Sequence, residues 1–204
     1  MRDALRVGLA IYNDGFYHAA HDAWESPWLS LEDGTDDERL LHGLIQYTAA
    51  IYHARNRNWE GATGLAGSAE EYLRGLPHTL HGVDLKPVRH YLEKIADDPE
   101  LIERREPPQV THEGDVPTLA DLTVEQIGTA AVILAEEWGY TQKPLEQAAE
   151  YARTDFEGGD AGSQFISLLF DFVLEEDRRG LVYQRLGQHV DRRETRESDV
   201  EGLF

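Results

Sequence analysis

The stretch Arg39-Leu40-Leu41-His42-Gly43-Leu44-Ile45-Gln46-Tyr47-Thr48-Ala49-Ala50-Ile51-Tyr52-His53 decides the fold. Its apolar members, Leu40, Leu41, Leu44, Ile45, Tyr47, Ala49, Ala50, Ile51 and Tyr52, cover most of the circumference of a helix. A helix that is apolar nearly all round is the buried centre of a bundle. The pattern predicts this helix over about 37–56, ending in the turn Asn56-Arg57-Asn58.

Outward from this centre the periodicity stays helical. Residues 3–13 carry Leu5, Val7, Leu9, Ile11 and Tyr12 and stop at Asn13-Asp14-Gly15, a C-terminal turn signal. A second helix is expected from Phe16 to Trp28, with Tyr17, Ala20, Trp24 and Trp28 at helical spacing and Pro27 near its end. A polar loop, 30–37, follows. A fourth helix is expected over Trp59–Gly75 and a fifth over Pro87–Ala96. In the fourth, Gly61, Gly64 and Gly67 each cost about 1 kcal/mol relative to alanine, so their spacing suggests close approach to another backbone. Pro99, Pro107, Pro108 and Pro117 mark a linker. Four more helical patterns cover 124–138, 144–156, 161–175 and 178–189, the first with Thr123 as its N-cap. No segment matches strand alternation better than the helical template. The expected architecture is all-α. It comprises a helical bundle at 1–105, a Pro-rich linker at 106–118, a C-terminal helical extension at 119–190 packed on the bundle, and a flexible charged tail at 191–204.

Composition narrows the function classes. Acidic residues number 39 against 19 basic ones, for a net charge of −20, and the only lysines are Lys86, Lys94 and Lys143. Such a chain repels itself at ordinary ionic strength. At molar salt the Debye length falls to about 3 Å and the repulsion is screened. The pattern resembles proteins of salt-loving archaea that accumulate potassium chloride; an acidic mesophilic protein is the alternative. Nucleic acid and anionic membranes are disfavoured as partners, since no basic patch would release counterions. With no cysteine, disulfides, thiolate zinc sites and thiol catalysis are excluded. The N-terminus lacks a signal-peptide pattern, and no apolar run reaches the roughly 18 residues of a membrane span. The expected location is the cytoplasm.

Chemistry-bearing residues concentrate on two helices. His18, His21, Asp22 and Glu25 fall on one face of the second, at i, i+3, i+4 and i+7. His42, Gln46, Ala49 and His53 form a stripe on the third. A short loop joins the two helices, so they are expected to be antiparallel neighbours. A buried polar group without a partner costs about 1–3 kcal/mol, so Gln46 and His53 need partners, and His21 and Glu25 are candidates. Two readings follow. In one, His21, Glu25 and His53 are two imidazoles and a carboxylate ligating zinc or another divalent metal, with an open position for water; His42 and Gln46 then orient ligands or substrate, and a small-molecule ligand is expected there. In the other, the same groups form a hydrogen-bond network that fixes helix packing, and the protein is a non-enzymatic interaction module, a homo-oligomer included. No His-Glu-x-x-His motif is present.

The run from Asn13 to Trp28, with Phe16, His21, Asp22, Glu25 and Trp28, followed by Gly43-Leu44-Ile45-Gln46 and His53, resembles the domain-of-unknown-function family numbered 309. That family carries a phenylalanine, a His-Glu dipeptide, a further glutamate and a tryptophan on one helix, then a Gly-Leu-Ile-Gln segment ending in a histidine. Asp22 stands here where the family has glutamate. The resemblance spans about residues 3–76. It implies an all-helical fold and supports the choice of residues, but it brings no reaction with it.

Other features weigh less. Tyr52–Ala62 resembles the turn of a tetratricopeptide unit, but the 34-residue period does not recur, which leaves an ordinary αα-hairpin. His78, His81, His90 and His112 are expected to be solvated, and Trp24, Trp28, Trp59 and Trp138 to be core or interface residues.

Overall fold

A computed structural model describes residues 1–201. They fall into two compact units, residues 1–118 and residues 119 onward.

The first unit contains helices α1 (Arg2–Asn13), α2 (Tyr17–Leu29), α3 (Asp36–Arg55), α4 (Trp59–Leu73) and α5 (Lys86–Asp97), with two short strands, β1 (Thr79–Leu80) and β2 (Val83–Asp84), between α4 and α5. As the apolar pattern predicts, α3 is central: Leu40, Leu41, Leu44, Tyr47, Ala50 and Ile51 are all buried. Its start is set by Thr35, whose hydroxyl accepts from the Glu38 N–H, and by three acidic residues in the first turn, favourable at the positive end of the helix dipole.

Two helical glycines allow the tight packing around α3. A Cβ on Gly8 would lie 2.2 Å from Nε1 of Trp24, a fully buried indole that donates to the Ala4 carbonyl at 3.1 Å. A Cβ on Gly43 would lie 2.5 Å from the Leu73 side chain, so this glycine lets α4 approach α3. The glycines singled out by spacing behave differently. Gly64 and Gly67 would meet nothing within 4 Å, and Gly61 is crowded by side chains rather than by backbone.

The β1–β2 hairpin escapes sequence reading because two residues per strand are too few to show alternation. Its turn is made by His81 and Gly82, at φ 48° and 82°, the left-handed pair that a two-residue hairpin loop requires.

The Pro-rich stretch read as a linker is docked in the first unit. Tyr12 donates its hydroxyl proton to the Pro108 carbonyl at 2.8 Å. A hydroxyl has one proton, so the buried Tyr47 hydroxyl must be the donor in its 2.7 Å bond to Tyr12. Burial raises the pKa of both phenols, keeping them neutral. Asn13 holds the backbone of Val110 in both directions, donating to its carbonyl and accepting from its N–H. Prolines and charges signal irregular backbone; they do not distinguish a free connection from one whose carbonyls are bonded to a core.

His112, expected to be solvated, is fully buried. Its backbone N–H donates to the Asp115 carbonyl, and its neighbour Glu113 donates to the Gly82 carbonyl, so the 111–115 turn packs on the hairpin. Neither of its ring nitrogens has a hydrogen-bond partner among the described residues.

The second unit contains α6 (Val124–Glu137), α7 (Lys143–Glu157), α8 (Gln164–Leu174) and α9 (Arg179–Glu201). Thr123 caps α6 as predicted, in a reciprocal box with Gln126. Ile127, Leu134, Leu145, Leu169, Phe172 and Leu186 form the core. The charged stretch expected to be a flexible tail continues α9 to Glu201, while residues 202–204 lie outside the described residues. One arginine anchors this end. Arg193 bonds Asp155 at 2.6 Å and Glu197 at 3.1 Å, and lies 4.2 Å over the Tyr151 ring. Burial pushes the Asp155 carboxyl up, but bonds from Ser163 and Arg193 outweigh it and leave its pKa below the ordinary value. No helix among the described residues is long and apolar enough to cross a membrane.

Candidate functional site

The α2 residues picked out by spacing come together. His21, Asp22 and Glu25 each offer a ligand atom, and those atoms all lie within 4.8 Å of one another. This is a direct product of helical geometry, which stacks i and i+4 one turn apart with i+1 alongside. His21 and Asp22 are half-buried and Glu25 is exposed. His18 extends the group at the preceding turn: its Nδ1 is 4.0 Å from an Asp22 oxygen, and its ring lies parallel to that of His21 with centroids 6.3 Å apart.

The third helix contributes to this neighbourhood differently from expectation. Tyr52, not His53, faces it, with its ring 5.2 Å from that of His18. His53 is not part of the three-residue group. Its Nδ1 is 2.7 Å from Nδ2 of Asn58, the residue that caps α4 by accepting from the Gly61 N–H. An amide NH₂ can only donate, so His53 Nδ1 accepts and the ring holds the cap in place. This explains Gly61, where a Cβ would lie 2.7 Å from Asn58 Nδ2 and 2.8 Å from His53 Nδ1. Gln46 is half-buried and is not among the buried side chains left without a partner.

His42 belongs to a separate cluster. Its Nδ1 lies 3.0 Å from Oε1 of Glu38, which also accepts from Trp28 Nε1 at 2.9 Å, while Oε2 of Glu38 accepts from the Gly34 N–H at 3.4 Å. Burial pushes the Glu38 carboxyl up; the bonds from Trp28, His42 and Gly34 together outweigh it, and its pKa lies below the ordinary value. Glu38 is therefore an ionised carboxylate in the interior, held by donors from α2, the 30–35 loop and α3. Tyr72 of α4 stacks on the His42 ring at 3.8 Å, and Trp28 lies against it at 4.5 Å.

The six candidates thus divide among four places: His21, Asp22 and Glu25 on the α2 surface, His53 at the α4 cap, His42 in an aromatic cluster, and Gln46 half-buried elsewhere on α3. Sequence reading missed Glu38, Tyr72 and Asn58. Glu38 is four residues before His42 and Asn58 three before Gly61, so helical spacing and cap position carried a signal for both. Nothing local marks Tyr72.

The group on α2 fits a divalent ion in its donor chemistry. One imidazole nitrogen and two carboxylates suit zinc and related first-row ions, and the exposure of Glu25 leaves room for water to complete the shell.

Residues 5–65 match the model of a family described as a domain of unknown function, DUF309. The match covers α2 and α3 entirely, most of α1 and the first part of α4. It therefore contains all six candidate residues. No curated protein matches the chain.

Proposed function

We propose that the DUF309 segment of this chain binds a divalent metal ion on α2 through His21, Asp22 and Glu25. The observation that carries the reading is the convergence of three ligand atoms of suitable type within 4.8 Å. An imidazole beside two carboxylates gives a borderline donor set that prefers zinc and its neighbours over the hard alkali and alkaline-earth ions. With three protein donors, solvent supplies the rest of the coordination sphere, the arrangement in which a metal can polarise a bound water or substrate oxygen.

The α3 residues take the other reading. His53 buttresses a helix cap and Glu38 holds His42, and both bonds support a structural role for that stripe.

The test is equilibrium dialysis of full-length protein in molar KCl, after chelator treatment, against Zn²⁺ and Mn²⁺ with excess Mg²⁺ as competitor. One tightly held ion per chain is expected. His21→Ala and Glu25→Gln should abolish it with helicity unchanged, and His53→Ala should retain it. Failure to retain an ion over Mg²⁺, or undiminished retention in His21→Ala, overturns the proposal.

A further inference from the structure

A second site, independent of the metal reading, lies where α2, α3 and α4 meet. Trp28, Glu38, His42, Glu71 and Tyr72 line a cleft of about 610 Å³ that also includes Asp33 and Arg39. That volume is within the range of small-molecule pockets, and far larger than a bare ion needs.

Three observations define what it would take. The first is charge. Asp33, Glu38 and Glu71 face a single cation, Arg39, whose guanidinium is engaged by the Arg74 carbonyl and Asp36. The second is surface. Trp28, His42 and Tyr72 present three rings in contact, and the π faces of tryptophan and tyrosine attract positive charge. The third is a ring held in place. Glu38 is ionised and can only accept, so it takes the proton on Nδ1 of His42. Nε2 makes no bond to the described residues. The lining is braced by its own bonds, because Glu38 also holds Trp28 and the 30–35 loop.

We propose that this cleft binds an organic ammonium ion, with its charge balanced by Glu71 and Asp33 and its body lying against Tyr72 and Trp28. An anion would meet excess negative charge. A metal would find no third ligand: both Glu38 oxygens are already accepting, and among the described residues the only group of three convergent metal donors is the one on α2.

The experiment uses full-length protein in constant molar KCl with EDTA, which removes any contribution from α2. Benzylammonium is titrated and followed by the NMR shift of the Trp28 indole N–H, assigned by its loss in Trp28→Phe. Benzyl alcohol and benzoate serve as the neutral and anionic matches. Saturable binding of benzylammonium is expected, with benzyl alcohol about tenfold weaker, the ratio that corresponds to one cation–π and ion-pair contribution. Benzoate should not bind. Glu71→Gln, on the exposed rim, should weaken benzylammonium by about threefold to tenfold without changing affinity for the alcohol. Tyr72→Leu should weaken both. Equal binding of ammonium and alcohol overturns the proposal, as does no saturable shift up to about 10 mM, or indifference to Glu71→Gln.

Discussion

Replacing His112 with leucine should stabilise the protein and flatten part of its acid limb. The side chain is fully buried and both ring nitrogens lack partners among the described residues. A buried polar group left unpaired costs about 1–3 kcal/mol. Leucine removes that cost at similar volume, and imperfect repacking returns less than about 1.5 kcal/mol. A net gain of about 1 kcal/mol at pH 8 is therefore expected. The pH dependence is the sharper test. Burial lowers the His112 pKa; the Glu113 carboxylate and the nearby His81 backbone, too poorly aligned to bond the ring fully, pull against that shift, while Arg6 and Arg2 reinforce it. In the unfolded chain the imidazole titrates near its ordinary value of about 6.5. Between that value and the lower folded one, the unfolded state binds more protons, so stability rises with pH. The neutral ring's contribution is complete above about 6.5 and is lost as pH falls toward the folded pKa, at up to about 1.4 kcal/mol per pH unit. Urea unfolding of wild type and His112→Leu at pH 8, 7, 6 and 5 in fixed KCl, followed by circular dichroism, isolates this effect, because the other histidines cancel in the difference. The gap in favour of leucine should widen below about pH 6.5. Parallel curves would refute the reasoning, as would a variant less stable than wild type at every pH.

Three further outcomes can be checked by the same unfolding assay. Gly8→Ala should cost about 1–3 kcal/mol, because the added methyl meets a buried, hydrogen-bonded indole that cannot retreat, and this exceeds the roughly 1 kcal/mol of helix propensity it gains; a neutral or stabilising result would contradict the packing described. Glu38→Ala should cost about 2 kcal/mol by stranding the Trp28 and Gly34 donors, and Glu38→Gln about half of that, since the amide keeps one acceptor. Because the folded pKa of Glu38 is lowered, its contribution is present above about pH 4.3 and is lost as pH falls through the folded value, so the penalty for Glu38→Ala should shrink in acid. Lowering KCl from about 2 M to 0.1 M lengthens the Debye length from under 3 Å to about 10 Å, and with a net charge of −20 the melting temperature should fall; an unchanged or higher value would remove the argument for salt adaptation.

The fold was legible where burial is continuous and regular. The all-round apolar run of α3 and the stripes of its neighbours gave those helices to within a few residues, and Thr123 marks the start of α6. What escaped was information carried by partners distant in sequence. Asn13 and Tyr12 reach almost a hundred residues along the chain to hold the Pro-rich stretch, and nothing in that stretch itself announces the contact. Gly8 reads as a weak point in a helix until Trp24 is placed against it. The α2 cluster was legible for the opposite reason: His21, Asp22 and Glu25 lie within five consecutive residues of one helix, so its periodicity brings them together with no tertiary information. The facing set from α3 was not legible, because sharing a helix face does not say which way that face turns. His53 turned to the cap of α4 and His42 to Glu38.

The acidic surface determines which residue could give the proposed α2 metal site its selectivity. A chain of charge −20 attracts cations everywhere, and carboxylates alone would hold potassium or magnesium loosely at many places. At molar salt that long-range attraction is screened within about 3 Å, less than the 4.8 Å span of the donor set itself. Selectivity must then come from atoms in direct contact with the ion. Asp22 and Glu25 offer hard oxygens that are repeated over the whole surface, whereas His21 offers a nitrogen donor that potassium and magnesium do not favour. Within the proposed site the carboxylates set how much positive charge is held, and the imidazole sets which ion holds it. For that reason the His21→Ala dialysis against excess Mg²⁺ is the decisive form of the metal test, rather than total cation uptake, which the rest of this surface would supply unaided.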